Sequence, residues 1–110
     1  MNDDQIKAVA IYATFPDVAT AKTIGRDLVT AGIAACVNIL PSMQSIYRWN
    51  GHLEEAEEVV AIMKTQYDRV EKLITEIERS HPYDTPAIVV LPIAQGSRPY
   101  LDWIIAETGG

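Results

Sequence analysis

An Asn50-Gly51 pair stands between two long strand-like runs, and no other feature limits the fold of this chain as much. Both central residues of a two-residue type I′ turn need positive φ, which Asn and Gly tolerate, so the pair predicts a β-hairpin. Trp49 then faces His52 across the turn, Arg48 faces Leu53, and Tyr47 faces Glu54. The arms run back to Ile33 and forward to Thr65, about fifteen residues each, or on the order of 50 Å at about 3.3 Å per residue. A domain of this length has a diameter of about 35 Å. The hairpin must project or bend, and its apolar end around Tyr47 and Trp49 needs cover from another chain.

The flanking segments alternate strand and helix patterns. Ile6–Thr14 reads as a buried strand rich in Val, Ile and Tyr. Asp17 can cap a helix in which Ala21, Ile24, Leu28 and Ala31 recur at helical spacing, and Gly32 supplies its stop. Pro41 cannot donate to a ladder, so the first hairpin arm lies at a sheet edge or carries a bulge. Thr65-Gln66-Tyr67-Asp68 matches a capping box for a second helix with Val70, Leu73, Ile74 and Ile77 on one face, ending before Pro82. Ala87–Ile93 is a further aliphatic strand, and Pro99 opens a short last helix with Tyr100, Trp103 and Ile104 on one side. The order β-α-β-β-α-β predicts one α+β domain over residues 1–110, ferredoxin-like, with a short C-terminal helix and a long protruding hairpin. Right-handed crossovers centre the first and third strands and put both helices on one face. A long apolar edge strand then needs covering, which again points to association with further copies of the chain.

A net charge of −6 argues against nucleic acid or an anionic membrane surface as partner. The third strand, ValValAlaIleMet, also lacks the stacking aromatics of an RNA-binding sheet. No apolar run reaches transmembrane length, and MetAsnAspAspGln has neither the basic nor the apolar region of a leader. With a single cysteine there is no intramolecular disulfide, and a cytoplasmic location is expected.

The chemistry rests on few side chains. Cys36 is a soft ligand or nucleophile by type, but its flanks Ala34, Ala35 and Val37 predict a buried strand where cysteine acts as a small hydrophobe. His81 falls in a proline-framed loop at a helix C-terminus, open either to metal ligation or to a capping or subunit-contact role. His52 and Glu54 share one face of a hairpin arm, as a two-ligand surface site or a solvated face. Lys64 beside Thr65 suits an anion, or an ordinary salt bridge to a carboxylate. Tyr47, Trp49, Tyr83, Tyr100 and Trp103 form an aromatic set suited to an interface, or to a ligand pocket between subunits. No nucleophile-base-orienter triad is readable, so no enzyme activity is expected.

Ala35-Cys36-Val37-Asn38-Ile39, Ser45-Ile46-Tyr47-Arg48-Trp49-Asn50-Gly51, Lys64-Thr65, His81-Pro82-Tyr83-Asp84-Thr85-Pro86 and Tyr100-Leu101-Asp102-Trp103-Ile104 follow one another in an order and spacing that resemble the CutA-type divalent-cation tolerance proteins. The resemblance spans about Val9 to Ile105. It implies a homotrimer similar in architecture to PII signalling trimers, binding copper or another divalent cation in metal tolerance, and no enzyme. Some relatives carry a cysteine in the first strand and a histidine just before HisProTyr; here those places are Ala13 and Ser80. The metal candidates that remain are His81 and Cys36, and if the protein binds Cu(II), His81 is expected to supply the principal ligand from a loop open to solvent. Further donors would come from backbone, water, Asp84 or a neighbouring subunit, so the cation is weakly held. The alternative is a PII-like regulatory trimer that binds a small anion in clefts lined by Lys64, Thr65, Tyr83, Tyr47, Trp49 and Trp103.

Overall fold

Alternation along the first strand sorts the whole molecule into two sides. The computed structural model describes residues 7–109. It contains strand β1 (Ala8–Phe15), helix α1 (Val18–Thr30), strands β2 (Cys36–Trp49) and β3 (His52–Gln66), helix α2 (Val70–Ser80), strand β4 (Ile88–Pro92) and helix α3 (Arg98–Glu107). Val9, Ile11, Ala13 and Phe15 of β1 point to one face of the sheet and are fully buried there, with Ile24 and Leu28 of α1 and Leu73 and Ile77 of α2. Burying side chains of that size stabilises the fold by roughly 1.5–3 kcal/mol each. Ile6 and the acidic N-terminal stretch lie outside the described residues.

The strands form one antiparallel sheet in the order β2-β3-β1-β4. The first and third strands are thus central, and the proline-bearing strand is an edge. Asp17 caps α1 by accepting the Thr20 amide at 2.8 Å. The helix ends in a Schellman motif, with Gly32 at φ +72° and the Ile33 amide donating to the Leu28 carbonyl at 2.9 Å.

The hairpin has the predicted register, Trp49 opposite His52 and Tyr47 opposite Glu54, around a turn with Asn50 at φ 51° and Gly51 at φ 80°. Its one irregularity lies between Leu40 and Met43. Leu40 pairs with Val60 and Met43 with Glu58, so Pro41 and Ser42 together oppose Val59. This is a bulge, with Ser42 at φ 64°. The described residues measure 43 × 30 × 22 Å.

The second helix departs from its predicted start. Thr65 does not cap it: the residue lies inside β3, fully buried, and its hydroxyl donates to the Ile33 carbonyl at 2.7 Å. A single 3-10 turn, Tyr67–Arg69, follows instead, and α2 begins at Val70 without a side-chain cap. Packing of Leu73 and Ile77 holds this helix where capping chemistry does not. Among the described residues no helix is long and apolar enough to cross a membrane.

The positive φ values make the turn a direct test. Replacing Asn50-Gly51 by Ala-Ala should cost roughly 1–2 kcal/mol per position, because a Cβ disfavours left-handed backbone. Thermal denaturation of the two proteins at equal concentration measures it, and an unchanged midpoint would contradict the turn type.

Candidate functional site

The sheet's other face is the one the two main helices leave open. Ala8 at its end is covered by Ile104 of α3, joined by Ala35, Ile93, Leu101 and Ile105. Beyond α3 the registers line up rows across the strands: Cys36, Lys64, Ala10 and Leu91, then Asn38, Ile62, Tyr12 and Val89. Leu40, Val89 and Leu91 on this face are 49%, 50% and 51% exposed. The bulge decides what stands next to them. With one extra residue in β2, Met43, Ser45, Tyr47 and Trp49 join the open face; without it the even-numbered residues would.

Two polar clusters occupy this face. Along the hairpin from Met43 to Trp49, a groove of about 720 Å³ runs between β2 and the loop after α2. Tyr12, Met43, Tyr47, Trp49, Glu58, Tyr83 and Asp84 are among its lining residues. Tyr12 donates to the Met43 sulfur at 3.5 Å, and Tyr83 donates to Glu58 Oε2 at 3.1 Å. Burial, the hydrogen bond to Glu58 and the charge of Glu58 together push the Tyr83 phenol up to about 12.

At the α3 end, the Cys36 sulfur and the Tyr100 hydroxyl lie 3.5 Å apart. Lys64 Nζ donates to Asn38 Oδ1 and sits 5.9 Å from the centre of the Tyr100 ring, within cation-π reach. Tyr100 in turn stacks on Trp103 at 5.7 Å. The hydrogen bond to Cys36, then burial, then the negative charge that the sulfur can carry, push the Tyr100 phenol up to about 12.

Several placements differ from the sequence expectation. Cys36 is half-buried rather than enclosed, because its side of β2 is the open face. Lys64 has no carboxylate partner among the described residues, where the ion pairs are Arg79 with Glu76 and Arg98 with Asp102. Thr65 points to the opposite, helical side and lines neither cluster. His81, expected in a solvent-open loop, is 8% exposed. Its Nε2–H donates to the Thr14 carbonyl at 2.7 Å, and its Nδ1 accepts the Tyr83 amide at 3.1 Å. Those bonds assign the neutral Nε2–H tautomer and leave no ring lone pair free. The ring also stacks on Phe15 at 4.8 Å. His81 thus clamps the loop that carries Tyr83 into the groove.

Among the described residues, no three His, Cys, Asp or Glu side chains come together as a metal site. His52 and Glu54 share the open face but gain no third ligand. Of the six cleft candidates, Tyr47, Trp49 and Tyr83 meet in the groove. Lys64 and Trp103 meet through Tyr100. Tyr12, Met43 and Glu58 are not among the candidates that the sequence offers. Strict alternation in β1 could have placed Tyr12 opposite the Val9–Ile11 face, but Met43 needed the bulge.

A family model described as CutA1 divalent ion tolerance protein matches residues 9–107. The divalent-cation tolerance protein CutA of Thermus thermophilus is 44% identical over 99 residues, 90% of this chain and 96% of that one. The protein of the same name from Pectobacterium atrosepticum is 40% identical over 100 residues, covering 91% of each chain. The solved structure of the divalent cation tolerance protein Cut A1 from Thermus thermophilus aligns at a TM-score of 0.90 and 43% identity, across 93% of this chain and 99% of that one.

Both raised phenols carry a pH consequence. A group held protonated above its unfolded value contributes stability that is complete below that value and lost as pH rises through the folded one. Tyr83 and Tyr100 should therefore weaken the fold between their ordinary value of 10.0 and about 12. Phenolate absorbance should show a late step near 12 that Tyr83→Phe and Tyr100→Phe each diminish. Cys36→Ala should move the Tyr100 share of it down; a step indifferent to that change would deny the sulfur its role.

Proposed function

This chain belongs to the CutA1 divalent ion tolerance family, and on that footing we propose that it binds divalent cations, copper among them, in metal tolerance as a homotrimer. The observation that carries the assembly is the pair of half-exposed apolar edges, Leu40 on β2 and Val89 and Leu91 on β4, of a sheet face that α3 covers only at one end. A face of that kind, continuous with Tyr47 and Trp49 on a projecting hairpin, suits contact with further copies of the chain.

One subunit does not offer a metal a full set of ligands among the described residues. In this reading the cation is weakly held, by the Cys36 sulfur together with backbone or carboxylate donors of a neighbouring subunit. His81 joins only when its loop opens, since both ring nitrogens are otherwise engaged. The protein acts by binding rather than catalysis, in the cytoplasm, where a lone thiol stays reduced. A second reading, a PII-like trimer holding a small anion at Lys64, is favoured by the absence of a carboxylate partner for that ammonium among the described residues. A metabolite screen by thermal shift without metal separates it from the first.

Sedimentation and copper titration test the leading reading together. Trp49→Ala should weaken assembly by about 2–4 kcal/mol per site. A parent that sediments as a folded monomer at micromolar concentration removes the trimer. Cu(II) titrated into the assembled parent should bind modestly, and Cys36→Ser should lose most of that binding. His81→Ala should instead lower thermal stability by about 1–3 kcal/mol through the two lost buried hydrogen bonds. Copper binding that survives Cys36→Ser but fails in His81→Ala would return the histidine to the role of principal ligand.

A further inference from the structure

We propose that α3 is a lid over Cys36 and Lys64, hinged at residues 94–96 and latched at its far end by Gln66 and Arg69. The helix brings Tyr100 down on both side chains: its hydroxyl lies 3.5 Å from the Cys36 sulfur and its ring centre 5.9 Å from Lys64 Nζ. Both are covered from that side whether a cation or an anion comes to them, so the lid depends on neither reading above.

Little fastens α3 along its length. Of its residues only Ile104 is fully buried, in a small cluster with Ala8 and Ala35 that stands apart from the main core. Ser97 provides no side-chain cap, and the first turn holds no acidic residue to offset the helix dipole. The Arg98–Asp102 pair is exposed and contributes little. Toward β4, the Ile93 amide donates to the Ala8 carbonyl at 3.2 Å. Among the described residues, Ala94, Gln95 and Gly96 make no backbone hydrogen bond to another element. An element with so few buried contacts opens locally before the whole domain does.

The far end is held differently. Thr108, the residue after α3, is fully buried, and its carbonyl accepts Gln66 Nε2 at 2.6 Å and Arg69 Nε at 2.9 Å. Its hydroxyl accepts Gln66 Nε2 at 3.1 Å and donates to the Ile104 carbonyl at 2.8 Å. Carbonyls at a helix C-terminus lack partners within the helix, and a guanidinium is a charge-assisted donor that the dipole favours there. Gly109 follows at φ 107°, where a Cβ would come within 2.6 Å of the Arg69 guanidinium, so glycine lets the arginine close over the chain. Both donors come from the stretch that departs from the capping pattern: Gln66 ends β3 and Arg69 ends the 3-10 turn. That turn leaves α2 without a side-chain cap and sets Arg69 against the end of α3 instead.

Hydrogen exchange read by mass spectrometry on the assembled parent tests the lid, with alkylation of Cys36 by iodoacetamide alongside. The amides of α3 should exchange at least about tenfold faster than those of β1 and β3, through an opening that leaves the sheet intact. Arg69→Ala removes a charge-assisted hydrogen bond and should speed α3 exchange by about tenfold more, with sedimentation and the exchange of β1 and β3 unchanged. Cys36 alkylation should rise by the same factor. Thr108→Val removes the hydroxyl bonds while keeping the shape; it should act in the same direction and serves if Arg69→Ala does not fold. Equal exchange of α3 and the central strands in the parent would mean that more than the latch holds the helix, a neighbouring copy included, and would overturn the proposal. A rise in the variants shared equally by β1 and β3 would make Arg69 a stabiliser of the whole domain and would overturn it too. So would faster α3 exchange without faster alkylation, since Cys36 would then be covered by something else. Neither readout involves a metal or an anion, so a failure of copper or anion binding touches only the preceding proposal.

Discussion

Which side of the outer hairpin joins the open face depends on a single extra residue in β2. Side chains alternate along a strand, so the pairing of β2 with β3 determines which half of each arm meets the helices. At the start of β2 that pairing sends Val37 and Ile39 into the core and Cys36 and Asn38 to the other side. Pro41 and Ser42 then shift the count by one. Pro41 has no amide to lose from the ladder, and Ser42 accepts the left-handed backbone the bulge needs. Past it, Met43, Tyr47 and Trp49 stand on the side of Cys36. The groove walls and the aromatic end of the hairpin therefore share one surface with Cys36 and the exposed Leu40.

His81 shows how a residue type can suggest one role and the packing give it another. Imidazole is a good metal ligand only while one nitrogen keeps its lone pair. Here the ring lies between Phe15 and Tyr83, donating to a β1 carbonyl and accepting an amide of its own loop. It pairs with two backbone groups, and no unpaired buried side-chain nitrogen or oxygen remains among the described residues. The histidine is structural first, and it fixes the aromatic wall of the groove through its neighbour two residues on.

The fold was legible because its strongest signals are local. Asn50-Gly51, the Asp17 cap, the Gly32 stop and the proline in an edge strand each name a backbone geometry, and the structure contains all of them. Thr65 misled because a capping pattern is also four residues of ordinary sequence. What decided its place was the Ile33 carbonyl, thirty-two positions away. The site was harder to read for the same reason. Cys36 touching Tyr100, Tyr83 touching Glu58 and Tyr12 touching Met43 are contacts between distant segments. Periodicity assigns each residue a face; it does not say which residues on that face will meet.

The bulge also gives the hairpin something like a reading frame. Between Ser42 and the turn, inserting or deleting one residue in a single arm would shift every following side chain to the wrong surface, as a frameshift garbles a message. A residue added to both arms at once keeps the pairing, and two added to each also keep the tip on its present side. Each matched pair lengthens the reach by about 3.3 Å. The hairpin can therefore lengthen or shorten over evolutionary time only in matched steps, and its length is quantised by the sheet that anchors it.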